Sequence, residues 1–216
     1  MTGSDRAIGL LAFGIAVLMG YVDAFGFLKS GGYFVSMMAG NTTHLGVTAG
    51  RGGAQTWPLL VIIGLFVLGV IAGSLTGRMA KDFHRPAVLG LCALVLGATA
   101  GLSLLTLTSF ALIGSMTFAM GAINTVFEQD GRGQPQRAPT MTGRQRSGLA
   151  VALGAEWLSW RHQVFLWAGF VAGALCGALV YSHSGMTDIW IAAAFAALLA
   201  MVSGWTPGPG RFVSQR

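Results

Sequence analysis

Asp23 is the residue of this sequence best placed to do chemistry. It lies in the apolar stretch 7–28, roughly 7 to 8 Å inside the end of a helix rising 1.5 Å per residue. A carboxylate at that depth in a membrane is costly and by default a functional candidate, able to hold a cation or a proton. A structural task suits it equally: capping the segment that follows, or pairing with Lys29. Asn124 occupies the matching place in the second half of the chain and cannot titrate. Together the two offer one charged acceptor and one neutral donor and acceptor, which fits ion coupling on one side or plain interhelical hydrogen bonding.

A second cluster, Gly40, Asn41, Thr42, Thr43 and His44, joins flexible backbone to side chains that favour helix N-termini. A helix beginning there would aim N–H groups and the positive end of its dipole at an anion or polar solute in the bundle centre. Structural capping explains the same residues. Gly143 and Arg144 repeat the arrangement with a guanidinium added, and a topology role stands beside that reading for Arg144. His44 has the chemistry to titrate in a pore lining or to serve as a satisfied hydrogen-bonding residue.

Catalysis finds little support. No GxSxG, HExxH, P-loop or GxGxxG pattern is present, and the seven acids form no catalytic pair. Cys92 and Cys176 each lie in an apolar run without CxxC or metal spacing, which makes them small packing residues. The reading is therefore no enzyme, no metal and no cofactor.

The elements that must position these residues follow from composition. Of 216 residues 54% are hydrophobic and 9% charged, with 33 glycines and a mean hydropathy of +0.67. Soluble domains carry about 25% charged residues, so this chain lacks polar cover on all sides and is expected in the lipid bilayer. Its net charge of +6 does not indicate nucleic acid, because the basic residues sit in gaps between apolar runs. Arg6 and the apolar stretch after it have the look of a signal peptide. That stretch ends, however, in a motif that returns in mid-chain, and it reads as a span.

Runs at about 7–28, 57–77, 86–107, 109–128, 163–182 and 187–206 have the length and apolarity of membrane helices. Trp57, Pro58, Pro86, Trp205 and Pro207 mark their ends. Glycines at spacings of four or five, such as Gly64, Gly69, Gly73 and Gly77 or Gly169, Gly173 and Gly177, let helices approach closely in lipid. Two further segments, 30–50 and 139–158, are too polar or too short for full spans and read as half-entering or broken helices. With six spans, every Lys and Arg except Lys29 and Arg51 falls on one side of the membrane. The positive-inside rule then puts both termini in the cytoplasm.

The halves share a pattern at a separation of about one hundred residues. Gly20 to Phe25, with Asp23, corresponds to Gly121 to Val126, with Asn124; Met38, Gly40 and Asn41 correspond to Met141, Gly143 and Arg144. An odd number of spans per unit turns the second unit upside down, as in many transporters. The expected fold is an all-α integral membrane protein of one domain. Its six transmembrane helices and two half-entering helices form two inverted repeats, at about 7–107 and 109–206.

The blocks at 20–42, 121–125 and 140–143 resemble the YoaK-type family of bacterial membrane proteins, most specifically through the MxGNT pattern at 38–42. The family's Met-Thr-Gly-Asn reads Met38-Ala39-Gly40-Asn41 here, so no hydroxyl role carries over to position 39. The resemblance implies a six-span inner-membrane fold without assigning a substrate or a catalytic residue. The leading expectation is a small-solute transporter or channel-like permease with Asp23, Asn41 and Asn124 near its polar centre. The alternative is a non-transporting scaffold or regulatory subunit that binds lipid or another membrane protein. A homodimer is a third arrangement, since six spans often need a partner to enclose a pathway.

Overall fold

A computed structural model describes residues 3–53, 56–104, 109–127, 149–184 and 189–205. The described chain is helical apart from turns. Its helices are α1 (Gly3–Ser30), α2 (Met38–Gly50), α3 (Thr56–Ala80), α4 (His84–Ser103), α5 (Ser109–Ile123), α6 (Leu149–Ser184) and α7 (Ile189–Trp205).

Among the described residues three helical stretches are long and apolar enough to cross a membrane: Ala7–Ser30, Gln163–His183 and the 48-residue Thr56–Ser103. The last of these contains α3 and α4, joined by the 3₁₀ turn Lys81–Phe83. Lys81 takes a left-handed φ of 48° in that turn. The apolar helices α5 and α7 are shorter, at 15 and 17 residues. All of these coincide closely with the apolar runs of the sequence.

The segments read as half-entering differ from each other. After α1, Gly31 and Gly32 adopt φ values of 72° and 129°, which other residues rarely tolerate, and they end the helix. An irregular stretch then leads into α2, whose 13 residues reach about 20 Å, short of a hydrocarbon core of about 30 Å. In the second half, residues 149–158 are no separate helix. They belong to α6, one continuous helix of 36 residues, because no glycine pair or proline interrupts the backbone between 149 and 163.

Packing is dominated by three pairs: α1 with α6, α4 with α7 and α3 with α5. Two of these are built on glycine. Along α6, Gly173 lies against the Val17 carbonyl, and a Cβ at Gly177 would stand 2.5 Å from the Tyr21 carbonyl oxygen. Along α3, Gly69 lies against the Phe118 carbonyl, and a Cβ at Gly73 would stand 2.7 Å from the Ala122 carbonyl oxygen. Lipid supplies no hydrophobic drive between helices, so such close backbone contact provides the dispersion energy that holds them together.

The interior is filled by Leu18, Val22, Phe25, Leu89, Leu96, Met116 and Met120, all fully buried. Few polar groups interrupt it. The hydroxyls of Thr99 and Ser115 meet at 2.7 Å between α4 and α5, and the Cys92 thiol donates to the Ala119 carbonyl at 3.3 Å. At the start of α4, His84 is buried against Gly77 and its Nε2–H donates to the Thr125 carbonyl at 2.9 Å.

The outside is as apolar as the inside. Leu68, Ile71 and Leu75 of α3 and Leu175 and Leu179 of α6 are half or more exposed, where a water-facing helix would carry charge. Trp57 and Trp205 stand outward at helix ends, 70% and 91% exposed, in the interfacial places that tryptophan favours.

Candidate functional site

The site forms where α1 meets the irregular stretch before α2. Asp23 is 4% exposed, and its Oδ1 accepts hydrogen bonds from the backbone N–H groups of Val35 at 2.7 Å and Ser36 at 2.8 Å. Among the described residues it has no basic partner, so Lys29 does not pair with it. The sequence leaves open whether this carboxylate binds a ligand or ties down the next segment, and the geometry demonstrates the second task. Gly26, one turn further along α1, gives Val35 the space to dock.

Asn41 supplies the other tether. It is 1% exposed, its Oδ1 accepts from the Phe34 N–H at 3.0 Å and its Nδ2 donates to the Phe34 carbonyl at 2.6 Å. The primary amide thus reproduces a strand-like pairing with one residue, satisfying both backbone groups where water is scarce. Gly40 leaves room for the Phe34 ring, since a Cβ there would approach it to 3.0 Å.

The rest of the block departs from the expectation of a helix start at Gly40 and Asn41. The helix begins at Met38, with Met37 in the N-cap place and no side-chain cap. Thr42 and Thr43 instead donate to the carbonyls of Met38 at 2.9 Å and Ala39 at 3.0 Å, one turn back in α2. Because the helix starts at Met38, both threonines lie within it, where a hydroxyl bonds the carbonyl four residues back. Thr42 and His44 are exposed on α2, and the His44 ring lies 5.8 Å from that of Tyr33.

Asn124 is exposed at the end of α5, and its amide donates to the Met120 carbonyl of its own helix at 2.7 Å. It shares no hydrogen-bond partner with Asp23. Gly143 and Arg144 lie outside the described residues. Among the described residues no group of three or more His, Cys, Asp or Glu side chains could hold a metal ion.

Beside the tethers runs a surface groove of about 390 Å³, walled by Asp23, Phe27, Phe34, Met37, Phe170 and Leu175, with small alanines completing it. Asp23 is its one ionisable residue among the described residues. The rings of Phe27 and Phe34 stand 4.9 Å apart at its rim. Nothing in the sequence distinguishes these phenylalanines from ordinary lipid-facing aromatics; only the hairpin formed by α1 and the following loop brings them together.

Apolar outward faces, glycine-mediated helix pairs and a half-length helix tied back by a buried carboxylate define a multi-helix membrane protein. The chain belongs to the family described as Protein of unknown function (DUF1275), which matches residues 11–202. It is 34% identical over 219 residues to a UPF0700 transmembrane protein of Rhizobium meliloti (strain 1021), covering 97% of this chain and 93% of that relative. The resemblance to YoaK-type proteins is consistent with this family. No solved structure matches the chain.

Proposed function

We propose that the protein is a small-solute permease of the bacterial inner membrane, built from two inverted units of three spans with both termini in the cytoplasm. The observation that carries this reading is the short helix α2, too brief to cross a bilayer and held at its entry by Asp23 of a full span. Discontinuous helices of this kind occur in secondary transporters, where irregular backbone is tolerated beside a substrate path.

Support for two related units comes from the helix contacts. Gly20 precedes Asp23 by three residues and meets the Phe170 carbonyl of α6; Gly121 precedes Asn124 by three and meets the Phe66 carbonyl of α3. Exchanging α1 with α5, α3 with α6 and α4 with α7 leaves the three main pairings unchanged. This exchange supports a two-fold axis relating the halves. The proposed role is non-enzymatic, and a second copy of the chain is a natural partner where six spans do not enclose a path alone.

Two experiments test the proposal. Reporter fusions after residues 54 and 184 should both report the periplasm, and a cytoplasmic signal at either would refute the topology. Purified protein in liposomes should pass solute faster than protein-free vesicles and slow when Asp23→Asn is introduced. Flux equal to that of protein-free vesicles would favour the scaffold alternative.

A further inference from the structure

The groove beside Asp23 has a chemistry that goes beyond a tether. It is walled by three phenyl rings, a methionine and small aliphatic side chains, with one carboxylate at its side. That carboxylate is buried, accepts two backbone N–H groups and has no basic partner among the described residues. A cation seated in the groove would give this carboxylate the counter-charge that no protein group supplies among the described residues, and in an apolar medium that attraction is little screened. Aromatic rings add to that attraction through their quadrupoles, and Phe27 and Phe34, in contact at 4.9 Å, form one continuous aromatic wall. The volume of about 390 Å³ falls in the range of small-molecule sites, about 300 to 1,000 Å³.

We propose that this groove binds a lipophilic organic monocation, a largely aromatic or alkyl body carrying one delocalised or tertiary positive charge. The inference rests on the permease reading for its consequence, naming the substrate class, while the site itself stands on the groove. Small inorganic cations fit poorly, because the walls offer no ring of oxygen ligands to replace a hydration shell. A phospholipid amine fits poorly as well, since the phosphate beside it would meet the Asp23 carboxylate. The groove opens between the exposed residues Phe27, Leu28 and Leu175, the side from which a membrane-dissolved cation would arrive.

The test uses two ions of the same shape and opposite charge, tetraphenylphosphonium and tetraphenylborate. Each is titrated against the full-length protein in nanodiscs, with uptake by empty nanodiscs subtracted. Saturable binding of the cation and none of the anion is expected. Asp23→Asn, which keeps an oxygen for the Val35 and Ser36 N–H groups, should weaken cation binding by about tenfold or more. Equal binding of both ions, or an unchanged affinity in Asp23→Asn, would overturn the proposal. Should Asp23→Asn fail to fold, Ala178→Phe decides: it fills the groove from α6 without touching the tether, and unaltered cation binding in it would be equally fatal. Liposome flux separates the two readings. Binding without cation flux keeps the site and removes the permease, whereas flux of other solutes without cation binding removes the site and keeps the permease.

Discussion

The α1–α6 and α3–α5 pairs use the same packing device and end in different polar chemistry. In each, a glycine three residues before the polar residue of one helix meets a phenylalanine carbonyl of the other, and the partner's glycines return the contact one turn away. Yet Asp23 is buried and reaches across to a loop, while Asn124 is exposed and bonds within its own helix. A glycine contact depends only on backbone spacing and survives duplication readily. A buried charge is retained only where a specific set of donors surrounds it, and the loop before α2 provides that set for Asp23.

The comparison breaks most severely if one glycine interface proves dispensable. Gly173→Leu and Gly69→Leu each drive a side chain into the opposing backbone, and overpacking of this kind costs about 3 kcal/mol or more where backbone cannot yield. Both variants should lose the monodisperse folded species in detergent, as judged by size-exclusion chromatography. A folded Gly69→Leu beside an unfolded Gly173→Leu would show that the two pairs are not equivalent.

The polar ends should respond unequally. Asp23→Ala strands the buried Val35 donor and the half-buried Ser36 donor and should destabilise by about 3 kcal/mol, lowering the tryptophan-fluorescence melting temperature. Asn124→Ala exchanges an exposed intrahelical bond for solvent and should stay within about 0.5 kcal/mol of wild type. Equal losses would assign Asn124 a buried task that its exposure contradicts.

A smaller effect sharpens the picture at the α3–α4 turn. A methyl group at Gly77 would collide with the His84 imidazole, so Gly77→Ala should cost about 1 to 2 kcal/mol. Adding His84→Ala removes the collision, and the double variant should be more stable than the sum of the single losses implies. Strict additivity in the melting temperatures would mean that the two residues are not in contact.

Much of the helical layout was legible before any tertiary contact was known. Apolar runs of about 20 residues admit one secondary structure in lipid, because only a helix satisfies its own backbone there. The helix α2 was legible in part: its length and polarity exclude a full span, but its start at Met38 follows a loop whose backbone is held by Asp23 and Asn41, contacts that no local pattern announces. The unbroken α6 was less legible, since Glu156, Arg161 and His162 resemble a boundary and polar residues do not by themselves stop a helix.

The sequence by itself determined the medium, the helices and the one carboxylate set inside an apolar span, because composition and helix length are properties of the chain alone. The tertiary structure decided what that carboxylate touches, which glycines face backbone and which phenylalanines share a groove. Those relations join residues such as Asp23, Val35 and Phe170 that no periodicity links, and only the close approach of α1, α6 and the loop before α2 brings them within reach of one another.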